Sequence, residues 1–168
     1  LMIDDRKADL LKEGIDVALR SGPVFGDTLI TRKLCNVPRI LVASPPYIKE
    51  FGTPSSIEEL SLHQCITYSL SPSGQTWVFY EAEQLKKVRV TGRLKVSSPE
   101  VASIAAENSF GITLSPEWLV REKINRGSLV QILDFIKVQP YEVRGVFPQR
   151  RFVTERVRNF VDYIQLRI

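Results

Sequence analysis

Histidine, methionine and cysteine are nearly absent from this chain of 168 residues, which holds one, one and two of them. A zinc site needs several His or Cys ligands, so neither a structural nor a catalytic zinc set can be assembled, and no metal ligand is assigned. The single histidine, His63, stands in the turn Leu60-Ser61-Leu62-His63-Gln64-Cys65 and reads as an ordinary loop residue. Cys35 and Cys65 lack CxxC spacing and sit beside apolar strand-like runs, which points to buried free thiols in a reducing compartment, the cytoplasm. No GxGxxG or Walker sequence occurs, so no cofactor is implied. The acidic pairs Asp4-Asp5 and Glu58-Glu59 fall near predicted helix starts, where they complement the helix dipole, and no catalytic residue is assigned. There is no long uncharged apolar run of the kind a membrane span requires. Charge of one sign is also lacking. With 23 basic and 19 acidic residues, the net charge of +4 is too mild and dispersed to argue for nucleic-acid binding.

Short apolar strands alternating with amphipathic helices indicate an α/β protein with largely parallel sheets. The pattern predicts a helix over 7–13 stopped by Gly14, and strands over 16–20, 29–35 and 39–44. Ser44-Pro45-Pro46 ends this first block. Ser56-Ile57-Glu58-Glu59 matches a capping box for a short helix, followed by a strand over 65–69 and an antiparallel pair over 76–80 and 87–96. Further on, the pattern predicts strands over 111–114, 129–133 and 141–147. Thr154 is placed to cap a last helix with an apolar stripe of Val157, Phe160, Val161 and Ile164. The most informative stretch runs from Ser97 to Val120. Ser98 is placed to cap a helix beginning at Pro99, with Glu100 in its first turn, and Ser115-Pro116 to start another. A helix start of this kind presents free backbone N–H groups and a positive dipole end, which suit the negative group of a ligand.

The wording Gly111-Ile112-Thr113-Leu114-Ser115-Pro116-Glu117-Trp118-Leu119-Val120 resembles the effector-binding domain of LysR-type transcriptional regulators. The resemblance extends over Leu11 to Gly22, Ala43 to Ile48, Gly52-Thr53-Pro54, Leu60 to Cys65, Gly127 to Val130 and Val157 to Tyr163, in that order. It departs from many relatives at Asn108-Ser109, and Leu1 enters the pattern one strand and one helix late. The chain is therefore expected to be an N-terminally incomplete part of a longer protein.

The resemblance implies a two-lobed fold like a type-II periplasmic solute-binding protein, with mixed sheets, flanking helices and two crossover strands. Residues 1–44 plus 147–168 would form the first lobe and 45–146 the second. It also implies a ligand cleft reached by Arg20, Ser21 and Gly22, Ser44, Tyr68 and Ser69, and Ser97, Ser98 and Pro99, with Phe25, Tyr68 and Trp77 as apolar walls. That mixture suits a small organic acid or an aromatic effector. A homodimer or homotetramer is expected. DNA would be contacted only through an N-terminal winged helix-turn-helix, which nothing before Leu1 supplies. The basic residues Lys86, Lys87, Arg89, Arg93 and Lys95, and Arg150, Arg151, Arg156 and Arg158, read as solvated faces. Two other classes share the scaffold, a solute-binding protein serving a transporter and an enzyme.

Overall fold

Proline interrupts the extended chain at Pro38 and again at Pro140, and at these points it passes between two units. The computed structural model describes residues 9–21, 29–69, 74–148 and 154–167. In chain order the elements are β1 (Ala18–Ser21), β2 (Leu29–Val37), β3 (Arg39–Ala43), α1 (Pro45–Phe51), a 3-10 turn (Glu58–Leu62), β4 (Cys65–Tyr68), β5 (Thr76–Glu81), β6 (Gln84–Arg89) and β7 (Lys95–Val96). There follow α2 (Pro99–Glu107), β8 (Ile112–Pro116), α3 (Glu117–Asn125), β9 (Val130–Ile132), β10 (Lys137–Val138), β11 (Tyr141–Pro148) and α4 (Glu155–Gln165). One unit comprises Leu1–Val37 with Pro140–Ile168, the other Pro38–Gln139. The sequence reading places these divisions later, at 44 and 147. The difference arises because, among the described strands, β3 pairs with β8 and β9 of the second unit.

In the first unit β11 lies between β1 and β2, antiparallel to both, from Ala18 opposite Val146 to Val37 opposite Tyr141. The apolar stripe of α4 covers one face: Val157 and Val161 are buried against Leu34, with Val17, Val143 and Ile164 packed around them. Phe160, expected in that stripe, is 41% exposed. Thr154 holds the N-cap position of α4, but its side chain makes no capping hydrogen bond.

The second unit is built on a five-stranded sheet of order β7-β4-β8-β3-β9. Its α2 and α3 face covers Val42, Ile66, Val96, Ala102, Ala106, Val120 and Leu129. The opposite face packs Leu41, Cys65 and Ile112 against Tyr47, Leu60, Trp77 and Phe79, the last two supplied by the antiparallel sheet β10-β5-β6. Only β4 with β7 and β4 with β8 pair in parallel among the described strands, so the sheets are mixed rather than largely parallel.

Several local expectations are corrected. Within 7–13 the described residues form one turn, closed by Glu13 N–H to the Asp9 carbonyl at 3.0 Å, with Gly14 at φ +64°. Lys7 and Ala8 lie outside the described residues. Pro45-Pro46 does not end a block but opens α1, because Ser44 caps it and prolines at the first helical positions forfeit no helix hydrogen bond. The capping box expected at Ser56 does not form: Ile57 holds the N-cap position of the 3-10 turn without a side-chain cap, and the Ser55 backbone N–H and hydroxyl both donate to Glu59 instead, at 2.6 and 2.9 Å. The expected strand over 87–96 is broken. Gly92 crosses the Cys65 backbone so closely that a Cβ there would stand 2.0 Å from the Cys65 carbonyl oxygen. The preceding half forms a hairpin with β5 through Ala82 and Glu83, both at positive φ, and the following half joins β4.

Candidate functional site

Strand register decides which candidate residues meet. Cys65 pairs with Ile112 and Ile66 with Thr113 in parallel, so Tyr68 comes level with Ser115, which itself opposes Ile40. Tyr68 also pairs with Val96, and the Ser69 N–H donates to the Val96 carbonyl at 2.7 Å. Tyr68, Ser69, Ser97, Ser98 and Pro99 are therefore gathered at one end of the sheet. Ser44 is not among them. The end of β3 runs the other way, and the buried Ser44 hydroxyl bonds that of Ser109 at 2.8 Å, roughly 14 Å along the strands from Tyr68.

Ser98 sits in extended conformation ahead of Pro99, and its hydroxyl accepts the Val101 N–H at 3.4 Å. The same hydroxyl donates to Glu100 Oε2 at 2.5 Å. A carboxylate of the chain itself thus stands at the positive end of α2, where an anionic ligand would compete with it. At the other end of α2, Glu107 accepts from Lys123 Nζ at 2.7 Å and Arg126 Nη2 at 2.5 Å. Hydrogen bonds from Lys123, Ser128 and Arg126, in that order, hold its carboxyl at about 2. This clamp fixes the helix whose other end carries Ser98.

Ser115 joins these candidates, although the sequence does not single it out. It is buried at the end of the sheet where Tyr68 and Ser98 lie, and its hydroxyl has no hydrogen-bond partner among the described residues. Its signal in the sequence is the alternation Thr113, Ser115 within an apolar strand, which puts two hydroxyls on one buried face. Ser115-Pro116 does not cap α3 through its serine: Pro116 is the N-cap, without a side-chain cap.

The remaining candidates fall elsewhere. Arg20 and Ser21 belong to β1 in the first unit, opposite Arg144 and Val143. Gly22 and Phe25 lie outside the described residues. Trp77, 6% exposed, is part of the core with Leu60 and Phe79. His63 Nδ1 lies 3.2 Å from the Tyr47 hydroxyl, which accepts the Gln64 N–H at 3.0 Å. Burial lowers the imidazole pKa and raises that of the phenol. Burial also pushes the Cys65 thiol up to about 12, and both cysteines are free thiols. Among the described residues no group of three or more His, Cys, Asp or Glu is placed to hold a metal ion. No helix among them is long and apolar enough to cross a membrane.

Two α/β units, the second with a capped helix start at one sheet end, are the fold of a regulatory domain, as comparison with known proteins shows. The LysR substrate binding domain family matches residues 1–167, and the chain belongs to it. The Escherichia coli regulator DmlR is 33% identical over 165 residues, covering 97% of this chain and 53% of its own. The E. coli activator TtdR is 30% identical over 161 residues, 95% of this chain and 52% of its own. The chain thus spans about half the length of the curated relatives it matches. Among solved structures, the full-length Vibrio cholerae virulence activator AphB superposes with a TM-score of 0.77 at 31% identity, covering 99% of this chain and 56% of AphB. The CrgA regulatory domain of Neisseria meningitidis gives 0.75 at 27%, covering 94% and 77%. These relatives are transcriptional regulators, not enzymes, and the solute-binding alternative is not favoured.

Proposed function

We propose that this effector-binding domain takes up a small organic acid or aromatic ligand in the interlobe cleft. Ligand binding would change the geometry of a homodimer or homotetramer, and so the spacing of DNA-binding heads carried elsewhere in a cytoplasmic regulator. The observation that supports the reading is that the Ser98-capped helix start, Tyr68, Ser69 and a buried Ser115 hydroxyl without a partner among the described residues share one sheet end. Arg20 and Ser21 are the proposed contribution of the first lobe. A ligand acts by differential affinity: it shifts the arrangement only as far as it prefers one state. Glu100 at the helix start weights the choice toward aromatic or weakly anionic compounds, since a full carboxylate must approach another.

Thermal unfolding against a panel of organic acids and aromatics tests the proposal. A ligand at about a hundred times its dissociation constant adds about 2.7 kcal/mol to folding stability. Ser98→Ala should weaken any hit found. A panel without a stabilising compound, or a hit indifferent to Ser98→Ala, would remove this helix end from the proposed site.

A further inference from the structure

The β2–β11 ladder of the first unit ends at Val37 opposite Tyr141. Beyond it each connecting segment carries a proline, Pro38 and Pro140, and neither can donate a backbone hydrogen bond. On the second unit a side chain takes over: Arg39, 9% exposed, donates from Nε at 2.9 Å and from Nη2 at 2.5 Å to the carbonyl of Gln139. A guanidinium removed from water must have its hydrogens met by acceptors, and the Gln139 carbonyl meets two of them. The two residues joined lie a hundred positions apart in sequence, yet each directly flanks a crossing between the units. Each segment is also tied to the body of the second unit, Gln139 N–H to the Val78 carbonyl at 3.1 Å and Glu117 N–H to the Pro38 carbonyl at 3.0 Å.

We propose that Arg39 is a positioning residue that fastens the outgoing and returning connections to one buried anchor, so that they flex as a single hinge rather than as two independent joints. The anchor is testable without an effector. A planar fork is required, because two donors converge on one oxygen. Lysine, a point charge on a flexible stem, reproduces the charge but not the fork.

Residue-resolved amide exchange on the whole chain decides the matter, comparing the wild type with Arg39→Met and Arg39→Lys. The expected result is exchange faster by about tenfold at both Gln139 and Glu117 in Arg39→Met, with less than about a twofold change at Thr67 and Ile112 in the central sheet. Arg39→Lys should show the same pattern with smaller amplitude, and it carries the test if Arg39→Met does not fold. Acceleration at Gln139 alone would overturn the coupling of the two connections. Equal acceleration throughout the second unit would reduce Arg39 to a core-filling role, and unchanged exchange in both variants would abolish the anchor.

Discussion

Replacing Glu107 by Gln should loosen the helix that carries Ser98, and the structure sets the size of the effect. Glu107 is 22% exposed, Lys123 15% and Arg126 58%, and its carboxyl is held at about 2 against an ordinary 4.5. At about 1.36 kcal/mol per pKa unit, that displacement has a ceiling of about 3.4 kcal/mol. The exposed Arg126 keeps one side of the cluster screened by water, so about 1–2 kcal/mol is expected at pH 7. The folded-state pKa is the lowered one. The contribution is therefore complete above about 4.5, declines as pH falls toward 2, and vanishes below that. Urea unfolding of both proteins from pH 7 down to pH 2 reads it directly: the gap should open at neutral pH and close through the acid range. A gap that is absent at pH 7, or that persists unchanged at pH 2, would refute the assignment of the depressed carboxyl to this cluster.

Gly111 stands at φ +145°, where a Cβ would lie 2.2 Å from the Gln64 carbonyl oxygen, so Gly111→Ala should cost about 3 kcal/mol in chemical denaturation. A loss under about 1 kcal/mol would contradict the close approach. A thiol-reactive disulfide reagent should modify the half-buried Cys35 in the native protein and leave Cys65, buried with its thiol pushed up to about 12, untouched until unfolding. Equal rates would contradict that burial. Because the Glu100 carboxylate faces the Ser98 hydroxyl, Glu100→Gln should raise the affinity of a carboxylate ligand by about two- to fivefold, read by calorimetry. Weaker binding would show that Glu100 assists rather than competes.

The alternation of strand and helix, the Ser98-Pro99 helix start and the stripe of α4 were legible because each is a local signal of period or capping. The same grammar was present at Ser44-Pro45-Pro46, yet two prolines read more readily as a stop than as the opening of α1. Strand direction is not local. Nothing near Ser44 or Tyr68 says that β3 and β4 run oppositely on either side of β8, and that alone separates Ser44 from the other serines. The break at Gly92 was hidden for a related reason: what demands glycine there is the Cys65 backbone, 27 positions earlier. Trp77 looked like a ligand wall because aromatic residues serve pockets and cores alike, and only the packing of β5 over the sheet shows its ring within a core.

Whether an effector is held at the Ser98 end of the second unit's sheet is read by amide chemical shifts of the whole chain titrated with the stabilising compound. Saturable shifts are expected to centre on Tyr68, Ser69, Ser98 and Val101, with a second set at Arg20 and Ser21. Saturable shifts confined to the Ser44 and Ser109 end, with Tyr68 and Ser98 unmoved, would contradict it.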